Sequence, residues 1–586
     1  MTASGLPALL PRVARALRQR CVQWLRRSPR WQAWERRRLA WLAAGMHSAQ
    51  VQARPAGLAA PLLDMALLRQ AFEAEGDYHV VDLDALQPHD AAALAAAGID
   101  LAVLRGQRSD RRLKAAGAGS GLLPPQIFDA GYQRDALQAG ALAFDSPCSG
   151  RPLRSAHSLL AASGASVFYR FTEGERVFYL AVGRESLGYQ PVYWYFPAQQ
   201  LVALLGSRDW AWLGRWELDQ LRAFMLQHRA DVARYLQPAA APHARVALVD
   251  HHHFAHHLWN SLSGVQALLG RASGGADGAD GANEAGGPIR ANNPAAPAFE
   301  RLAATAEPLG PIEEIFPELA PGAVLHLSAA DLPLRAVREG WFIVRAGGLV
   351  VNDDLVSRLR RVALAHCSDT ARQQLAGLRA ASGPRVWFTI RTGTRTWASQ
   401  AQGIAELASA LHQQQPGMAL VIDGLAVPWL RRPTDKFSWL DGMRAAELQL
   451  VAEIRARLPA GLPVTVLAGA SIFDGVALSE AADVYVATHG TLQNKLGWLA
   501  NCPGVVHGSS LVLRGISGPI GQYCAFWSRA GGVAPRYLQP DQVHDIEQVT
   551  GANTRRWAQT LNHYEVDGPA LRQAVAEVLA QRQPAA

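Results

Sequence analysis

The chain has 586 residues, 49% of them apolar, and a formal net charge of +8. Such a length exceeds what one hydrophobic core serves, so several domains are expected. The charge is not a nucleic-acid signal: residues 1–50 hold ten Arg against the single acid Glu35, leaving the rest of the chain close to neutral. Five scattered cysteines (Cys21, Cys148, Cys367, Cys502, Cys524) include no CxxC pair, which argues against a disulfide framework or a Cys-based zinc site and fits a reducing cytoplasm. No apolar run reaches about 18 residues, and Arg stands where a signal peptide needs its apolar core, so neither a spanning helix nor secretion is expected.

The basic arm, residues 1–50, places Leu10, Val13, Leu17, Cys21 and Trp24 at helical spacing with Arg on the other faces; Trp31, Trp34 and Trp41 follow Pro29. Residues 10–45 therefore suit an anionic membrane surface, or equally a helix packed on protein. An N-terminal α+β domain is expected over 51–240. Its first part is Ala/Leu-rich, with HVVDLDAL (holding Asp82-x-Asp84) as one short strand. Residues 126–205 read as a β-rich module: SVFYRFTEGERVFYLAVG alternates around a Glu-Gly turn and PVYWYFPAQQLVALLG continues it. An amphipathic helix over 215–235 leads out.

RVALVD (245–250) is a short buried strand that runs into HHHFAHHLWNSLSG. A first half is expected over 241–370, interrupted by a flexible insertion at 271–308 whose Gly- and Ala-rich start cannot bury enough to order itself. A second half, 371–530, alternates: strands at 386–390, 418–423, 464–469, 484–488 and 504–508, helices at 400–414, 439–457, 474–482 and 491–500. Apolar strands without alternation, separated by helices, mean a parallel sheet covered on both faces. A helical segment, 531–586, closes the chain. The expected fold class is α/β, with two Rossmann-like halves after a mixed, partly β-rich N-terminal domain.

In such sheets ligands bind beyond the carboxyl ends of the strands. Three ends carry polar clusters. In VWFTIRTGTRTW, Arg391 and Arg395 flank Gly393, and two guanidinium forks on a Gly-bearing turn suit a diphosphate as well as they suit a plain surface turn. In VIDG, Asp423 is a candidate acceptor for a ribose hydroxyl. In ATHGTLQNKLGW, a strand runs into His489-Gly490; Gly490 permits close backbone approach, Thr491 is a candidate cap, and the helix start favours phosphate. Lys495, one of three lysines in a chain with 54 Arg, lies one helical turn beyond Thr491. No Walker A, GxGxxG or GxSxG pattern is present, and GAGSG (117–121) runs into Pro124-Pro125 rather than a helix.

LSEAADVYVATHGTLQNKLGWLANCPGVVHG resembles the C-terminal signature of GT-B-fold glycosyltransferases, and is most similar to the family-61 type that builds bacterial polysaccharides. His489, Gly490 and Asn494 stand at matching places. FAHHLWNSL is similar to that family's upstream motif, with His257 as its His and Asn260 where an acid is usual. The resemblance covers about 245–510 and implies two Rossmann-like halves of GT-B type, with a nucleotide-sugar donor on the second and a glycan acceptor facing the first. It also implies a metal-independent reaction with no cofactor beyond the sugar nucleotide.

On a regular helix His253, His256, His257, Asn260 and Gly264 share one face. A metal reading lacks the Glu of HExxH and a third ligand; a structural reading and a catalytic one remain. In the catalytic reading His257, or its neighbour His256, takes the acceptor's proton beside Asn260. Arg391, Arg395, His489, Gly490, Thr491, Asn494 and Lys495 then hold the donor phosphates. No nucleic-acid partner and no metal site are expected, and the place of action is the cytoplasm or the inner membrane face. The alternatives are a metal-dependent transferase using Asp82-x-Asp84, another polysaccharide-modifying transferase such as a pyruvyltransferase, and a membrane-associated scaffold without catalysis.

Overall fold

The aromatic runs after residue 157 pair into a six-stranded sheet. In the computed structural model, which describes residues 78–546 and 562–582 apart from 84, 108–130, 162–165, 186–187, 206–210, 238–242, 270–296, 349, 430–439 and 515–530, this is the first of three large sheets. The basic arm, Asp84 and most of the Gly/Ala insertion lie outside the described residues. Strands β1 (His79–Asp82), β4 (Ser158–Leu160), β5 (Ser166–Glu173), β6 (Arg176–Glu185), β7 (Gly188–Phe196) and β8 (Leu201–Leu204) run in the order β1-β8-β7-β6-β5-β4. A small hairpin, β2 (Leu142–Asp145) with β3 (Pro152–Ser155), stands beside it. The β5–β6 turn falls at the expected Glu-Gly, where Gly174 takes a φ of 59° that a side chain would resist. The expected exit helix is broken at His228 into Ala211–Gln227 and Arg229–Tyr235.

The second sheet is wholly parallel: β9 (Ala244–Val249), β10 (Arg301–Ala304), β11 (Val324–His326) and β12 (Trp341–Arg345) in the order β11-β10-β9-β12. All five residues of β12 are buried although it is an edge strand. The N-terminal domain covers that edge. Ser158 Oγ accepts the Ile343 N–H at 2.7 Å, Tyr169 donates to the Ile343 carbonyl at 3.0 Å, and Tyr235 donates to the Trp341 carbonyl at 2.8 Å. Side chains thus satisfy backbone groups that an exposed edge would offer to other strands.

The third sheet is also parallel. β13 (Arg385–Thr389), β14 (Ala419–Asp423), β15 (Val464–Val466), β16 (Val484–Thr488), β17 (Gly504–His507) and β18 (Arg536–Tyr537) run in the order β15-β14-β13-β16-β17-β18. Counted from its own first strand this is 3-2-1-4-5-6, and the second sheet is 3-2-1-4. Both reverse direction of growth beside their first strand, where crevices open between β9 and β12 and between β13 and β16. Helix 400–414 lies where expected, and helix Asp353–His366 is followed by a second, Asp369–Ala380.

The closing segment corrects an expectation. Besides helix Gly568–Arg582 it contains β18 and an antiparallel pair, β19 (Val543–Ile546) with β20 (His563–Val566). Strands of two to four residues with polar neighbours carry too little periodicity to be read locally. Between the parallel sheets, Arg360 donates to the Leu499 carbonyl at 2.7 Å, Ser368 N–H to Asp474 at 2.8 Å, and Trp429 N–H to the Pro308 carbonyl at 3.1 Å. Among the described residues no helix is long and apolar enough to cross a membrane.

Candidate functional site

The histidine stretch begins where β9 ends. Asp250 leaves the strand and is held by Arg345, the last residue of β12, at 2.6 Å from Nη2 and 3.1 Å from Nε, both side chains buried. The pair closes the floor of the first crevice. The helix that follows opens at Phe254–His256, widens to a π-helix over His257–Leu262 and returns to α-helix at Ser263–Leu268. It packs directly on the backbone after β12. A β-carbon on Gly264 would lie 2.4 Å from the Gly347 nitrogen, and one on Gly348 would lie 2.3 Å from Ser263 Oγ. Gly264→Ala is therefore expected to lower the stability of unfolding by about 1–3 kcal/mol, read from the urea midpoint, because backbone rather than a flexible side chain must move.

The structure separates the two adjacent histidines: His257 points inward and is fully buried, with Nδ1 3.1 Å from the His251 carbonyl. Burial brings its pKa down to about 3. His257 is thus corrected from candidate base to a neutral core residue. His256 takes the outward place. Its Nδ1 lies 2.9 Å from Asn260 Oδ1, while Asn260 Nδ2 donates to the Gly348 carbonyl at 3.0 Å. Because the amide must present its NH₂ to that carbonyl, Oδ1 faces the imidazole, and His256 carries its proton on Nδ1. Nε2 is then the basic nitrogen. Asn260 thus faces His256 from the position where the resembled motif has an acid.

His253 stands at the helix start, open to solvent. Protein nevertheless crowds its ring, 5.5 Å from that of His256. This enclosure, then the charge of His256 and of Arg391 and Arg395 from the facing sheet, brings its pKa down to about 4. The two crevice helices confront one another: Trp259 and Trp498 meet with ring centroids 5.9 Å apart.

On the facing side, β13 runs into Arg391. Gln400 clamps that residue's backbone, accepting from its N–H at 3.2 Å and donating to its carbonyl at 2.8 Å, and Arg391 Nε donates to the Thr394 carbonyl at 2.7 Å. Gly393 has φ 92° and Arg395 φ 57°, a tight turn that folds both guanidinium groups back. They converge on Gly490, whose φ of 130° and ψ of −152° suit glycine alone. A β-carbon there would be 3.8 Å from Nη1 of both arginines. Burial, then the neighbouring Arg395, lowers the Arg391 pKa to about 10; burial lowers that of Arg395, whose buried Nε makes no hydrogen bond among the described residues. Two like charges held together beside a helix start form an arrangement that a dianion would stabilise.

Other expected donor residues fall elsewhere. Gly490 occupies the cap position, so Thr491 is the first helical residue and not the cap. The helix is regular only over Thr491–Asn494 and becomes a π-helix over Lys495–Ala500. Lys495 turns into the core, where Nζ donates to both oxygens of Asp423 at 2.9 and 2.7 Å. The pair is buried, and Trp387 Nε1 adds a bond to Asp423 at 3.3 Å. This corrects two readings: Lys495 is committed to a carboxylate rather than to phosphate, and Asp423 to an ammonium rather than to a ribose. His489 is half-buried, its N–H bound to the His507 carbonyl at 2.7 Å. Asn494 is buried, with an Oδ1 that makes no hydrogen bond among the described residues.

One group escaped the sequence reading. Glu447, on helix Leu440–Arg455, is buried beside Asp423, and its Oε2 accepts the Leu425 N–H at 2.8 Å. Burial, reinforced by Asp423 and opposed by that N–H, Lys495 and Arg391, raises its pKa to about 7. The available signal was its register: Glu447 precedes Leu450, Val451 and Ile454 at i+3, i+4 and i+7, a charge on the apolar stripe. Among the described residues, three metal-ligating side chains converge at His79, His89 and Asp90 and at Glu307, Glu313 and His326, neither group in the histidine stretch.

No protein-family model matches the sequence, and a search of curated proteins finds no match. Among solved structures the chain is similar to UDP-GlcNAc 2-epimerase from Methanocaldococcus jannaschii, at 11% identity and TM-score 0.24 over 48% of this chain and 65% of that one. It is also similar to UDP-GlcNAc 2-epimerase from Neisseria meningitidis bound to UDP-GlcNAc (12%, TM-score 0.19, 35% and 52%). A third is Anabaena Alr3699/HepE in complex with UDP and glucose (13%, TM-score 0.16, 35% and 53%). The chain thus spans between half and two thirds of these proteins' lengths. Likenesses this slight leave the site to be read from its own geometry.

Proposed function

We propose that the chain is a glycosyltransferase that moves a sugar from a nucleotide-sugar donor to a glycan acceptor of a surface polysaccharide, across a cleft between two Rossmann-like halves of GT-B type. The carrying observation is the convergence of Arg391 and Arg395 on Gly490, on the side facing the crevice helix whose Trp259 meets Trp498. The diphosphate rests against the two guanidinium groups and the helix start. They stabilise the negative charge that grows on the leaving phosphate as the anomeric C–O bond breaks, a task other transferases give to a metal. His256 Nε2 takes the proton of the acceptor hydroxyl as the new C–O bond forms, and Asn260 holds the imidazole in the required tautomer. A single displacement inverts the anomeric centre. The resemblance of His489-Gly490 and Asn494 to the family-61 motif supports the same reading. His489 and Asn494 border the donor end, whereas Lys495 and Asp423 support it from below.

The test is a transfer assay with UDP-, GDP-, CMP- and dTDP-sugars on glycan acceptors in the presence of a chelator. One donor is expected to be consumed with inversion. Consumption of none, or activity that returns only with Mn²⁺, would overturn the reading.

A further inference from the structure

The arginine turn is costly to hold. Arg391 and Arg395 repel, and Arg395 adopts a left-handed backbone without being glycine. The groups that hold it come from the far end of the chain. Across the turn, Tyr564 N–H donates to the Thr396 carbonyl at 3.1 Å, and the Ala398 N–H donates to the Tyr564 carbonyl at 2.9 Å. The flanking residues add side-chain bonds: His563 Nδ1 accepts the Thr396 N–H at 3.1 Å, and Glu565 Oε2 accepts the Ser399 N–H at 3.2 Å and the Ser399 hydroxyl. Strand β20 is thereby a clasp on residues 396–399, the outgoing limb of the turn.

The same tyrosine reaches the other half of the site. Its buried hydroxyl lies 2.9 Å from His507 Nδ1 and donates to Thr488 Oγ1 at 3.4 Å. Thr488 is the last residue of β16, immediately before His489-Gly490, and the His507 carbonyl accepts the His489 N–H. Tyr564 therefore ties the arginine turn, through its main chain, to the strand ends that carry Gly490, through its hydroxyl. We propose that Tyr564 is the positioning residue that sets the spacing between the two guanidinium groups and the Gly490 turn, and so the site's affinity for a diphosphate. This rests on the reading of Arg391 and Arg395 as a diphosphate site.

Tyr564→Phe retains the ring and every main-chain bond and deletes only the tie to β16 and β17. Isothermal titration of the full chain with inorganic pyrophosphate and with UDP, far below the melting temperature, should give affinity weaker by roughly fivefold to tenfold. Val578→Ala serves as the control: it loosens the helix that follows β20 within the same core, and should lower the melting temperature with unchanged affinity. Hydrogen exchange at the His489 amide, whose acceptor is the His507 carbonyl, should accelerate in Tyr564→Phe and not in Val578→Ala. If Tyr564→Phe binds both probes within about twofold of the wild type, or if Val578→Ala weakens binding equally, the positioning role is refuted. Failure of the wild-type protein to bind either probe refutes instead the diphosphate site on which it stands.

Discussion

Replacing His256 by alanine is expected to lower kcat for sugar transfer by about 10²–10⁴-fold while nucleotide affinity stays within about twofold. The size follows from its task. An acceptor hydroxyl is a poor nucleophile at neutral pH, and a correctly placed imidazole removes its proton as the bond to the anomeric carbon forms. The selectivity follows from position: His256 sits on the second sheet's crevice helix, whereas the phosphate-facing groups belong to the third sheet. Asn260→Ala should fall between, because His256 remains while the bond that fixes its proton on Nδ1 is gone. His257→Ala should leave a cavity and cost stability, with little effect on kcat per folded molecule. Steady-state kinetics with donor and acceptor varied separately would decide. A His256→Ala enzyme with unchanged kcat, or a His257→Ala enzyme that is folded and inactive, would return the base assignment to His257.

Lys495→Ala is expected to destabilise the fold by about 3–5 kcal/mol, because it strands the Asp423 carboxylate in the core. Glu447 lies beside that carboxylate, and a second carboxyl group supplies no compensating cation. The double variant Lys495→Met with Asp423→Leu should recover most of the loss, since an apolar pair needs no desolvation to be offset. Were Lys495 instead a phosphate ligand, its removal would abolish nucleotide binding at little cost in stability. Equilibrium urea unfolding of the single and double variants separates the two. A loss under about 1 kcal/mol in Lys495→Ala would contradict the buried-pair account.

The parallel sheets were legible because strands buried on both faces cannot alternate: VWFTI, ALVID and VYVAT are apolar through and through, and helical periods separate them. The crevices followed from that, since strand ends are where loops and helix starts meet. Arg391, Arg395 and Gly490 were legible for the same reason, each within a few residues of a strand end. What was not legible depended on packing or on distance. Two adjacent histidines lie about 100° apart on a helix, and their sequence does not say which of them the packing buries. Lys495 and Asp423 are 72 positions apart, and spacing says nothing of which loop each side chain enters. The clasp by β20 was hidden for both reasons, being a four-residue strand whose partners lie far upstream.

The most direct test of the account is the thermal stability of the wild type and of the Arg391→Ala/Arg395→Ala variant with UDP. Binding to the folded state alone should stabilise the wild type by about 2.7 kcal/mol at a ligand concentration of about 100 times Kd, and the double variant should show no shift at the same concentration. Equal stabilisation of both proteins would contradict the assignment of the arginine pair. No stabilisation of the wild type by UDP or by any other nucleoside diphosphate would contradict the proposed function itself.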